Sequence, residues 1–193
     1  MYQRDRLPVL DPARPADAPE IAFHQSTEIL GPVKDQKQPT AEQAAEMRHG
    51  YFAAISYMDA QLGKVTAALE KQGLLDSTLI VFRGDHGYHI GEHSLWAKTS
   101  NFELDARVPL IVVPPQAKQA GASTDALVEM VDLFPTITAL CAVPDAPGLD
   151  GVSLVPLLND PKAKIKDAAY TQFPRPAYPD RTPRGRPEVM GVS

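Results

Sequence analysis

From Thr40 onward, apolar side chains recur every third or fourth position: Met47, Tyr51, Ala54, Ile55, Met58, Leu62, Val65 and Leu69. That period is helical and gathers the set into one stripe that faces a core. Thr40-Ala-Glu-Gln43 has the form of a capping box, with Thr at N-cap and Gln at N3. Gly73 suits the residue just past the last turn. The spacing therefore predicts a helix over 41–72. Gly63 inside it costs about 1 kcal/mol against Ala, which a close packing contact would explain.

The two sides of this helix differ. Residues 1–39 carry Pro8, Pro15 and Pro19 and predict irregular, linker-like backbone. The chain has nineteen prolines in 193 residues, about twice the average usage of ~5%. Most lie in the outer quarters, so regular structure is expected in the middle. There TLIVF, 78–82, reads as a short buried strand, and VPLIVV, 108–113, as a second one stopped by Pro114-Pro115. Leu127–Val131 is expected to be a third. Asp132 then caps a helix reaching about Ala142, with Pro135 in the first turn, where a missing N–H costs little. Alternation of this kind predicts an α/β layer architecture. Past Val143 the chain turns often (PDAPGLDG), then offers SLVPLL and a strand-like AAYTQF at 168–173. The expected organisation is a linker at 1–39, an α/β core at 40–145 and a smaller subdomain beginning at 146–193.

Composition excludes some functions. Net charge is −5, so no nucleic-acid footprint is present. Lys162, Lys164, Lys166, Arg175, Arg181, Arg184 and Arg186 are interleaved with prolines and acids and predict a solvated tail. No run approaches the ~18 apolar residues of a membrane span, and the first twenty residues lack the apolar core of a signal peptide. The single cysteine, Cys141, allows no internal disulfide. It follows Ile137 and Leu140 on a helix and reads as a buried thiol.

The chemistry concentrates in GDHGYHIGEHSLWAKTSNF, residues 84–102. Asp85 and His86 follow the first strand, where open α/β sheets place their ligands. The freedom of Gly87 would let both side chains reach one cation. Carboxylate suits Ca²⁺ or Mg²⁺ and imidazole suits borderline metals such as Zn²⁺, so the pair alone does not choose. His86, His89 and His93 form a rival zinc pattern, but Gly84, Gly87 and Gly91 oppose the helix that it requires. His89 then reads as a surface or packing residue. Lys98 would bring a point charge to a tetrahedral oxyanion. His93 would donate to that anion or move a proton. Taken singly, each residue also reads as ordinary: a turn carboxylate, an exposed imidazole, a surface lysine.

The phrase RGDHGYHIGEHSLWAKTSNFELDARVPLIV resembles the metal-and-sulfate loop of type I sulfatases, closest to the iduronate-2-sulfatase-like branch. GYFAAISYMDAQLGKVTAALEKQGLLDSTLIVF upstream and VDLFPTI, LDGVSL, AAYTQFPRP and VMGVS downstream agree in order. The resemblance implies a partial alkaline-phosphatase-like α/β sheet with flanking helices, plus the start of a smaller C-terminal α+β subdomain. It implies hydrolysis of a sulfate ester of a sugar or similar alcohol, with a divalent cation, usually Ca²⁺. Asp85 and His86 resemble two metal ligands, and Lys98 the lysine that holds the sulfate group. His93 and Glu92 fall in the substrate-facing part of the loop.

One part of the family's pattern has no counterpart. Its formylglycine nucleophile arises from C/S-x-P-x-R, whereas Cys141 stands in Cys-Ala-Val-Pro-Asp, and no Ser-x-Pro-x-Arg occurs. The paired aspartates and the early Lys and His of the sulfate pocket also have no match here. The expectation is a C-terminal portion lacking the family's N-terminal half, inactive alone and prone to pair through an open sheet edge. Two alternatives stand beside it: a phosphodiesterase or phosphonate hydrolase of the same superfamily, and a non-catalytic interaction module. Intact relatives are commonly exported or lysosomal, and the sequence assigns this chain no compartment.

Overall fold

The computed structural model describes residues 2–23, 28–29, 38–115, 117, 120–144, 146–175 and 189–192. The chain divides into two compact units. One comprises residues 1–71, 83–109 and 171–193, the other residues 72–82 and 110–170. Among the described residues no helix is long and apolar enough to cross a membrane.

The first unit is built on α1, Ala41–Lys71. Its start is the predicted capping box: the Gln43 amide donates to Thr40 Oγ1 at 3.2 Å, and the Thr40 amide donates to Gln43 Oε1 at 2.9 Å. Gly73 follows the last turn with φ +67°. Among the described residues the apolar stripe meets the core cluster at its N-terminal end. There Ala44, Met47, Tyr51 and Phe52 meet Ile29, Ile90 and Trp96, and Tyr51 stacks on Tyr88 at 5.2 Å. Farther along, Ile55, Met58 and Val65 are exposed, so the expectation of one continuous buried face holds for the first turns alone. Gly63 has open space where a Cβ would stand, so no packing contact accounts for it.

Two short strands of this unit, β2 (His89–Ile90) and β3 (Trp96–Ala97), pair antiparallel, with His89 opposite Ala97 and Ile90 opposite Trp96. After them comes α2, Glu103–Ala106. The unit also holds β5 (Gln172–Arg175) paired antiparallel with β6 (Val189–Val192). The strand expected at 168–173 thus begins later and extends past it, and Arg181, Arg184 and Arg186 lie outside the described residues.

In the second unit β1 (Ile80–Arg83, of which Arg83 belongs to the first) pairs with β4 (Leu110–Val113). Both predicted strands form, each starting two residues later than its apolar run. The third does not. Among the described residues Leu127–Glu129 joins no strand, and Met130–Asp132 turns into a 3₁₀ segment behind an extended Glu129. The reason is local: Glu129 and Asp132 satisfy each other's backbone amides as a capping box. Helix α3, Leu133–Leu140, and helix α4, Val155–Asn159, follow.

Asp132 does not cap α3 through its side chain. Fully buried, it accepts hydrogen bonds from the Glu129 amide at 2.7 Å, the Val152 amide at 2.9 Å and Lys166 Nζ at 2.7 Å. Lys166 also reaches Glu129 Oε2 at 2.8 Å. So Lys166 is part of the unit's packing and not of a solvated tail. Cys141 closes α3 and is exposed. It sits at the helix end, past the buried Thr136 and Thr138 face, which is why the apolar spacing misled.

Candidate metal and anion site

The loop from Gly84 is pinned to the first unit by backbone bonds. The Gly84 amide donates to the Pro109 carbonyl at 3.1 Å, and the Gly87 amide to the Asp105 carbonyl at 2.8 Å. Gly87 is required here for space: a Cβ would collide with the backbone carbonyl of Leu104. What requires glycine at this position is thus the close approach of two backbone segments, and not the conformational freedom expected of it.

Asp85 and His86 come together. Asp85 Oδ2 lies 3.6 Å from His86 Nε2, and both residues are exposed. His86 Nδ1 donates to the Gly87 carbonyl at 2.7 Å, because a carbonyl can only accept. In the neutral ring Nε2 therefore carries a lone pair aimed at a carboxylate. Two electron-rich atoms facing each other repel, and a cation between them reverses that. A backbone partner on the far ring nitrogen is also how metal-binding imidazoles are oriented. Its own backbone hydrogen bond, then the positive charge of the His86 ring in its protonated form, and the His86 amide hold the Asp85 carboxyl below the usual carboxylate range. The pair thus fits one side of a divalent cation. Among the described residues no third His, Cys, Asp or Glu completes a cluster able to hold a metal.

Gly91 takes φ +127°, and its position faces the Arg48 guanidinium and the Trp96 ring. The Glu92 carboxylate turns back on its own loop and accepts the Ile90 amide at 2.8 Å. His93, Ser94, Ala97 and Thr99 all adopt positive φ without being glycine. Such strain persists only where surroundings impose it, and it clusters at ligand-binding segments. Lys98 lies between two of these residues. Its ammonium pairs with Glu28 at 3.1 Å.

Among the described residues the three imidazoles do not gather as a zinc site, although the His89 and His93 rings lie 5.6 Å apart. His86 faces Asp85. His89 is fully buried, with Nδ1 donating to Asp105 Oδ1 at 2.9 Å. His93 lies against Phe102, ring centroids 4.9 Å apart. The expectation of a surface or packing role for His89 missed this bond. Asp105 escaped the sequence reading altogether. It stands sixteen residues from His89, and no local spacing links the two.

The chain is similar to known proteins over most of its length. The sulfatase family matches residues 21–143. Iduronate 2-sulfatase of Mus musculus is 31% identical across 95% of this chain and 44% of its own length. Choline-sulfatase of Rhizobium meliloti (strain 1021) is 39% identical across 62% of this chain and 24% of its own. Among solved structures, a phosphonate monoester hydrolase from Silicibacter pomeroyi superposes with a TM-score of 0.73 at 29% identity, over 90% of this chain and 35% of that one. A protein solved with its substrate D-glucosamine-2-N,6-O-disulfate gives 0.67 at 27% identity, over 80% and 32%. The fold is a partial alkaline-phosphatase-like α/β architecture. The chain belongs to the sulfatase family, and it spans less than half the length of these relatives.

Proposed function

We propose that this chain carries one side of the metal and sulfate site of a sulfuric ester hydrolase. Asp85 and His86 would hold a divalent cation, expected to be Ca²⁺, whose role is to polarise the sulfuryl oxygens. Ca²⁺ takes 6–8 oxygen ligands, so two donors bind it weakly. Lys98 would place its charge on the sulfate group after exchanging Glu28 for the anion. His93 and Glu92 would border the substrate, a sulfated sugar or similar ester. The observation that carries this reading is the 3.6 Å approach of Asp85 to His86, with the far nitrogen of the ring tied to Gly87. The C/S-x-P-x-R motif is absent from the sequence, so the chain by itself is proposed to hydrolyse nothing.

Calorimetry tests the site. Inorganic sulfate should bind only with Ca²⁺ present, and Lys98→Ala should abolish the sulfate step while leaving the cation step. Sulfate binding unchanged in Lys98→Ala would overturn the assignment. Turnover of an aryl sulfate by this chain, lost in Asp85→Ala, would overturn its inactivity. The similarity to a phosphonate monoester hydrolase supports a second reading, in which the tetrahedral group is a phosphonate or phosphate ester. Competition between inorganic sulfate and phosphate for the Ca²⁺-loaded chain separates the two.

A further inference from the structure

Two imidazoles meet in the interior of the first unit. His89 and His93 have ring centroids 5.6 Å apart, and Phe102 lies against both, at 6.0 and 4.9 Å. Each ring has one buried nitrogen without a hydrogen-bond partner, Nε2 of His89 and Nδ1 of His93. Orphaned polar atoms of this kind are rare in native interiors and call for an explanation. The other end of His89 is firmly held. Its Nδ1 donates to Asp105 Oδ1, while Asp105 Oδ2 accepts the Ser100 amide at 2.7 Å and the Ser100 hydroxyl at 2.5 Å. Burial alone would raise the Asp105 carboxyl, but these hydrogen bonds keep it below the ordinary carboxylate range, so it is an anion.

An anion at Nδ1 fixes the proton of His89 there and leaves its Nε2 as an acceptor. The complementary group for a buried acceptor is a donor, and the neighbouring orphan is Nδ1 of His93. His93 is half-buried with that nitrogen on the enclosed side, and its backbone is held at φ +56°. We infer that Asp105 and His89 are positioning residues that hold His93 in its Nδ1–H form through one bridging water, so that its Nε2 is the proton acceptor offered to whatever the loop binds. Only the nature of that ligand, a sulfate ester, rests on the proposed function. The ordering of the two rings stands on the buried contacts.

The test is long-range ¹H–¹⁵N NMR of the histidine rings in the full chain, at a pH where the imidazoles are neutral. His89 and His93 should each show a protonated Nδ1 and a bare Nε2. In Asp105→Asn the His93 pattern should become a mixture of tautomers, while Trp96 fluorescence reports an intact fold. A wild-type His93 with its proton on Nε2, or one in an averaged mixture, would overturn the inference. So would a His93 pattern unchanged in Asp105→Asn. Should that variant not fold, the wild-type spectrum decides alone. The spectrum reads no cation or sulfate, so its failure leaves the sulfatase reading standing, and loss of sulfate binding leaves the imidazole series standing.

Discussion

Gly87 rests against the carbonyl of Leu104 so closely that no side chain fits between the two backbones. The same glycine donates its amide to the Asp105 carbonyl at 2.8 Å. This contact ties the segment carrying Asp85 and His86 to the turn carrying Asp105. Gly87→Ala must therefore push the two segments apart. Because the obstacle is main chain and cannot swing aside, we expect a loss of about 3 kcal/mol, at the upper end for overpacking. A urea unfolding curve measures it, and a midpoint equal to wild type would contradict the contact.

The opposite outcome is expected at Gly63. It lies within α1 with nothing near its missing Cβ. Gly63→Ala should stabilise the chain by about 1 kcal/mol through helix propensity alone. Thermal unfolding followed by circular dichroism at 222 nm would show the rise.

Lys166 guards a buried carboxylate. Burial pushes the Asp132 carboxyl up and the Lys166 ammonium down, but the hydrogen bonds between them reverse both shifts. Asp132 ends below its ordinary value and Lys166 above it. Asp132 then contributes stability that is full above its unfolded value of ~3.9 and lost as pH falls through the folded one. Lys166 contributes stability that is full below its unfolded value of ~10.4 and lost as pH rises through the folded one. Lys166→Met should cost about 3 kcal/mol at neutral pH, because it strands Asp132 unpaired. The gap from wild type should narrow below about pH 4, as the carboxyl protonates. Denaturation across pH 3 to 8 tests both the size and the trend.

The Asp85–His86 pair should bind Ca²⁺ with a Kd on the order of 10⁻³ M, the weak end for such sites. Asp85→Ala should remove that binding without altering the unfolding midpoint measured in chelator, since the side chain is exposed. Asp85 stays ionised to below the ordinary range, so its own protonation does not limit binding above about pH 4. Calorimetry with Ca²⁺ in place of chelator gives the comparison.

Much of the architecture could be read from local pattern. The capping box at Thr40 and Gln43, the stop at Gly73 and the runs that became β1 and β4 all follow from residues close in sequence, where backbone preference and period act directly. The 3.6 Å approach of Asp85 to its neighbour His86 is local in the same sense. What escaped depended on distant partners. Leu127–Val131 is the local exception: its apolar run gave no hint that Glu129 and Asp132, three residues apart, would bond each other's amides. The His89–Asp105 bond joins a loop to a short helix through a fold that spacing does not encode. The stripe of α1 was read correctly as a stripe, but period alone does not say how far along its length other residues will cover it.

The division into two units has a practical corollary. The chain has one tryptophan and one cysteine. Trp96 is 5% exposed inside the first unit, and Cys141 presents an accessible thiol on the second. Intrinsic emission from the indole and a maleimide dye on the thiol would thus each follow a separate half of the molecule. Unfolding curves from the two colours would show directly whether the halves melt together or in succession, in the unmutated chain.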